Sequence, residues 1–124
     1  MAECTYDRRF TADTYKNLRR NRTGEGVIQS VYQQLGLEIN GDHGQLFGSS
    51  DIGNVSFECP AFHPTLQLVG RGVAIHTREF AAAVKGERAH RCVADGAKII
   101  AYTIAELFSD EEKLRQMKAE FQGQ

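Results

Sequence analysis

The stretch Ala89–Glu112, AHRCVADGAKIIAYTIAELFSDEE, decides how the rest of the chain is read. Within it Val93, Ala97, Ile100, Ile104 and Leu107 recur at i, i+4, i+7, i+11 and i+14. That is the spacing of a helical stripe facing a core, and it predicts a helix over about Arg91–Phe108. The run Ser109–Glu112, S-D-E-E, then reads as a capping box in which the Ser109 hydroxyl accepts from the Glu112 amide. It opens a second helix over about Asp110–Phe121 with Leu114, Met117 and Phe121 turned inward. Asp110, Glu111 and Glu112 fall in its first turn, where the positive end of the helix dipole favours carboxylates.

Working outward, a third helix is expected over about Arg22–Leu35, opened by Asn21 or Thr23 and stopped at Gly36, with Val27, Ile28, Val31 and Leu35 as its buried row. Gly24 and Gly26 in its first turns oppose that reading, because glycine is a poor helix former. Thr77 caps a short helix running through Val84. Strands are expected at Thr65–Gly70 (TLQLVG), at Val55–Cys59 and, more weakly patterned, at Ala2–Tyr6. Between Asn40 and Asn54 the chain carries Gly41, Gly44, Gly48 and Gly53, a loop able to approach a ligand closely. The expected fold class is therefore α/β: a small layer of two or three short strands covered by about four helices.

The 124 residues suit a single domain, 1–124. A net charge of −1 provides no basic face for nucleic acid. No apolar run approaches the roughly 20 residues that cross a bilayer, and MAECTYDRRF has no apolar core of a secretory signal. A cytoplasmic protein without nucleic-acid or membrane partners is expected. Cys4, Cys59 and Cys92 form no C-x-x-C pair and are expected to be reduced, mostly buried thiols.

Four histidines raise the question of a metal, yet no H-E-x-x-H, H-x-D or paired C-x-x-C is present. His43 reads as a solvated turn residue. His63, held extended by Pro64, is either structural or turned into a cleft. His76 follows the TLQLVG run and directly precedes a capped helix, a position at which α/β proteins place ligands, and is the best single candidate for a metal ligand. In Gly48–Asn54, GSSDIGN, hydroxyls and a carboxylate between glycines either bind an anion through backbone N–H groups or close an Asx turn at Asp51. No base stands beside Cys59 to make it a nucleophile.

Taken together, GSSDIGNVSF (Gly48–Phe57), PTLQLVG (Pro64–Gly70), HTREF (His76–Phe80) and the Ala89–Glu112 stretch resemble the C-terminal part of the di-zinc amidohydrolases and metallopeptidases. That family includes the aminobenzoyl-glutamate hydrolases, the aminoacylases and the glutamate carboxypeptidases, and the aminobenzoyl-glutamate utilization branch is the most similar. The resemblance covers about residues 17–121, starting at NLRRNRTGEGVIQSVYQQLG. It implies that His76 corresponds to the last zinc-ligand histidine, and that Gly48, Ser50 and Asp51 correspond to the loop that holds the substrate's carboxylate. His90 and Arg91 fall on an A-H-K-G segment, with arginine in place of lysine. The implied reaction is amide hydrolysis by a zinc-bound water with a glutamate as general base.

The family's remaining zinc ligands and its catalytic Glu-Glu pair belong to a segment these residues do not contain. A catalytic zinc takes three protein ligands and one open position. The chain by itself is thus expected to hold no zinc and to be inactive, a truncated or split piece of an amidohydrolase acting on acyl-amino-acid or aminobenzoyl-glutamate-like amides. The competing expectation is a non-enzymatic binding or oligomerisation module. Both imply a partner: a second copy of the chain, or a chain carrying the missing catalytic half.

Overall fold

A computed structural model describes residues 3–10, 14–39, 50–70 and 72–123. Five helices follow in order: α1 Arg22–Gln34, α2 Ile52–Val55, α3 Arg78–Ala83, α4 Glu87–Ser109 and α5 Glu111–Gln122. The three long helices, α1, α4 and α5, pack on one another. Val31, Tyr32 and Ile99 form the buried centre, and Ile28, Leu35, Leu37 and Leu66 close around it.

Helix α1 begins and ends as its sequence indicates. Asn21 is the N-cap, its side chain accepting from the Gly24 amide. Gly36, at φ 65°, ends the helix. Its amide reaches Gln33 O at 3.0 Å and the Leu37 amide reaches Tyr32 O at 2.9 Å, the paired bonds of a Schellman stop. The two glycines that opposed the helix differ in kind. A Cβ on Gly24 would stand 2.1 Å from Phe62 Cζ, whereas one on Gly26 would meet nothing within 4 Å. Gly24 is thus required by the close approach of the Phe62 ring.

The expected α/β layer is not formed: among the described residues there is no strand. Residues 65–69 form no regular element, and the carbonyls of Thr65, Gln67 and Val69 are taken by side chains. Tyr32 Oη donates to Thr65 O at 3.1 Å, Arg88 Nη2 and Cys92 Sγ donate to Gln67 O at 3.3 and 3.8 Å, and Gln67 Nε2 donates to Val69 O at 3.0 Å. A strand needs a neighbour for its ladder, and the partners of this segment are side chains of α1 and α4. Val55–Cys59 closes helix α2 in successive turns, with Ser56 N bonding Ile52 O and Cys59 N bonding Val55 O. Of the third expected strand, residues 3–6 are irregular and residues 1–2 lie outside the described residues.

The Ala89–Glu112 stretch forms helices as expected, with two corrections. The cap of α5 is Asp110, whose carboxylate accepts from the Lys113 amide at 3.1 Å. Ser109 remains the last residue of α4 and donates its hydroxyl to Glu106 O at 3.2 Å, so the anticipated capping box is not formed and a single cap stands one residue further on. The second correction concerns which face is covered. Ala89 and Ile99 are the buried residues of α4, and Cys92, Gly96 and Thr103 share their side. Val93, Ile100 and Ile104, read as the core stripe, are 73%, 61% and 51% exposed. At about 100° per residue the two sets are neighbouring sectors of one broadly apolar helix, and the chain's own helices cover only one of them. The cysteines depart from expectation too: Cys4 and Cys59 are exposed and Cys92 is half-buried.

Candidate functional site

Two places carry the residues singled out by sequence. The first is the loop entering α2. Gly48 and His43 lie outside the described residues. Ser50 Oγ accepts from the Ile52 amide at 3.3 Å. Asp51 is the N-cap of α2, but its side chain makes no capping bond and is exposed. Its backbone carbonyl receives the Asn54 and Val55 amides at 2.8 and 3.3 Å. The Asp51 carboxylate is thereby left facing solvent beside the Ser50 hydroxyl's short turn.

The rest of the same motif is structural. Residues 14–20 cross α2 as a strap, and three motif residues hold it. Asn54 accepts from Lys16 N at 2.9 Å and donates to Thr14 O at 3.1 Å. The Ser56 hydroxyl, 1% exposed, accepts from Arg19 N at 2.9 Å and donates to Gly53 O at 2.6 Å. Gly53 allows the strap to pass so close that a Cβ would lie 1.8 Å from Lys16 O. The Arg19 guanidinium sits 5.2 Å from the Phe57 ring and 5.3 Å from the Phe121 ring, tying the strap to α5 by cation–π contacts. Reading the motif as a ligand loop missed Gly53, Asn54 and Ser56, whose partners lie 37 or more residues away.

The second place is His76, at the junction into α3. Thr77 is the N-cap as expected, its hydroxyl accepting from Phe80 N at 3.2 Å and donating to Ala74 O at 2.8 Å. Thr77 must be extended, at φ −111° and ψ 163°, for that cap to form. The chain reverses immediately before it, and His76 takes the reversal at φ 64°. A non-glycine residue in the left-handed region stores on the order of 1–2 kcal/mol, and such strain gathers at functional positions. The His76 side chain is exposed.

No hydrogen bond or ion pair joins His76 to Ser50 or Asp51 among the described residues. Nor do those residues bring together three His, Cys, Asp or Glu side chains able to hold a metal. His76 is one ligand where a catalytic zinc takes three, so the chain's own residues do not fit a complete metal centre. His63 and His90 are exposed and enter no such group. Two shallow concavities lie elsewhere: one of about 830 Å³ along the outer side of α5 by Glu111, Arg115 and Lys118, and one of about 240 Å³ between α1 and the α4–α5 corner by Val27, Glu106 and Lys113. Neither is lined by Ser50, Asp51 or His76.

The perturbed charges belong to the helix frame. Bonds from the Thr23 and Arg22 amides hold the Glu120 carboxyl below its ordinary range. A bond from Lys113 does the same for Glu106, and the Lys113 amide for Asp110.

No helix among the described residues is long and apolar enough to cross a membrane. No protein-family model matches the chain, and no solved structure does. Among curated proteins it is similar to the Xaa-Arg dipeptidase of Mus musculus, 29% identical over 121 residues, and to that of Homo sapiens, 27% identical over 121 residues. Each alignment takes in 95% of this chain and 28% of the dipeptidase. The chain is therefore distantly akin to a dipeptidase along almost its whole length, and spans little more than a quarter of that relative's.

Proposed function

We propose that these residues form one part of a metal-dependent peptidase or amidohydrolase site. In this reading His76 supplies one zinc ligand, and Gly48, Ser50 and Asp51 form a wall against the carboxylate end of the substrate. The observation that carries it is the alignment of 95% of the chain with a dipeptidase. The left-handed backbone of His76 supports it, because such strained positions gather at functional sites. Other polypeptide provides the remaining ligands and the general base. When bound, zinc would supply a water acidified enough to attack an amide. What this chain contributes is the placing of an imidazole and of backbone N–H groups.

The substrate class is an amide whose leaving residue carries a free carboxylate. Dipeptides ending in arginine, by analogy with the relatives' name, and aminobenzoyl-glutamate-like amides are its two members to compare. Titration of the chain with zinc by calorimetry tests the metal role. Weak binding abolished by His76→Ala supports it, and binding unaltered by that substitution removes it. Hydrolysis assays on both substrates are expected to be blank for the chain alone.

The second reading, a non-enzymatic binding or oligomerisation module, is favoured by the exposed apolar side of α4. It predicts self-association of the chain, with zinc binding absent.

A further inference from the structure

Helix α4 is apolar around most of its circumference. Its covered side carries Cys92, Gly96, Ile99 and Thr103 against α1 and residues 65–69. The adjoining side carries Val93, Ala97, Ile100, Ile104 and Phe108, all exposed, with Phe108 at 81%. At 100° per residue these five fall within about 80° of one another. Polar side chains, those of Glu87, Arg88, Arg91, Asp95, Lys98 and Glu106, occupy the opposite sector, and His90 lies in line with Phe108 at the edge of the apolar face. A surface helix shows an apolar stripe of about 100°; the apolar sector of α4 is roughly twice that width, and only one side of it is covered. The pattern of α4 is that of an interior helix for which these 124 residues provide one of two layers. A row of large apolar side chains this long and contiguous marks a contact surface.

The second layer is indicated by the relatives. They align with 95% of this chain, α4 included, and the alignment occupies 28% of their length. Nearly three quarters of a dipeptidase chain thus accompanies the equivalent helix there and has no counterpart in these residues. We infer that the Val93–Ala97–Ile100–Ile104–Phe108 face docks the polypeptide corresponding to that remainder, and that this contact brings His76 to the groups completing its site. The inference rests on the proposed function for its partner and adds where that partner binds.

The test is co-expression of the full 124-residue chain with mouse Xaa-Arg dipeptidase from which the matching 121 residues are removed. Purification through a tag on the shorter chain is expected to yield both in equal amounts. Ile100→Asp with Ile104→Asp is expected to weaken the complex at least tenfold. Tyr102→Asp, half a turn round the same helix and 48% exposed, is expected to leave it intact. Unchanged far-ultraviolet circular dichroism of both variants shows that folding is not the cause. Absence of the complex, or its survival in the Ile100/Ile104 variant, overturns the inference. So does a dimer of the chain alone that the Ile100/Ile104 variant dissolves, since the face then belongs to a second copy. A complex that forms through this face but hydrolyses neither substrate retains the interface and removes the proposed function.

Discussion

Glu120 closes the start of α1 from the far end of the chain: its Oε2 accepts from both the amide of Thr23, at 2.9 Å, and the Thr23 hydroxyl, at 2.8 Å, while Oε1 accepts from Arg22 N at 2.7 Å. The first amides of a helix have no partners within it. Here they are satisfied by a carboxylate nearly a hundred residues away, placed where the helix dipole favours negative charge.

This arrangement makes stability depend on pH in a definite direction. The Glu120 carboxyl titrates below its ordinary value because the folded state bonds its charged form. Its contribution is fully present above the ordinary, unfolded value of 4.5 and is lost as pH falls through the lower folded value. Glu120→Gln is expected to cost about 1 kcal/mol at neutral pH, a moderate figure because the group is partly exposed. The wild-type advantage over this variant should vanish at the acid end of urea titrations. A difference that stays constant with pH would show that the charge is not what matters.

Asn21 joins the same helix end to α5 from the other side. It is 3% exposed, caps the Gly24 amide at 2.9 Å through Oδ1 and donates Nδ2 to Met117 O at 2.8 Å. Asn21→Ala removes a cap worth about 0.5–2 kcal/mol and the Nδ2–Met117 O bond that joins α1 to α5, about 0.5–1.5 kcal/mol more. We expect a loss of roughly 2–3 kcal/mol in urea unfolding. Asn21→Asp retains the capping oxygen but sets a carboxylate against a carbonyl, and should be at least as damaging.

The first turns of α1 offer a pair of substitutions with opposite signs. Gly26→Ala enters open space on an exposed helix position and should stabilise by about 0.5–1 kcal/mol. Gly24→Ala drives a methyl into the Phe62 ring and should destabilise. Gly53→Ala is harsher, since the obstructing atom is the backbone carbonyl of Lys16. It should release the 14–20 strap, detected as faster amide exchange at Lys16 and Arg19, whose amides Asn54 and Ser56 now hold. Equal melting temperatures for the two alanine variants of α1 would contradict the packing described.

What was legible in the sequence follows from how local each signal is. The limits of α1 were readable because Asn21 and Gly36 act on amides within a few residues of themselves. The covered side of α4 was not readable, because Val93, Ile100 and Ile104 are as apolar as Ile99, and periodicity cannot tell which of two apolar sectors a chain covers with its own helices. Thr65–Gly70 has the composition of a strand, but a ladder depends on a neighbour that composition does not report. In the GSSDIGNVSF motif, Ser50 and Asp51 attracted attention as polar groups between glycines. Gly53, Asn54 and Ser56 proved to be holding residues 14–20, a distant partner that no spacing rule reveals. The backbone of His76 was equally invisible, since it is imposed by the turn that Thr77 must follow.

That backbone supplies the sharpest test of whether His76 is kept for folding or for chemistry. At φ 64° a histidine is strained and a glycine is not. If the side chain were there for stability, removing it would weaken the fold. It is exposed, and the hydrogen bonds at this junction run through Thr77 and Ala74. His76→Gly should therefore raise stability, by about 1 kcal/mol, the lower part of the left-handed penalty after allowing for the greater entropy of unfolded glycine. His76→Ala, which retains a Cβ and so the strain, should leave stability near that of the wild type. Both should lose any zinc binding seen in calorimetry. A glycine variant that melts below the wild type would show that the imidazole serves the fold, and would take away the support that strain at this position lends to a ligand role.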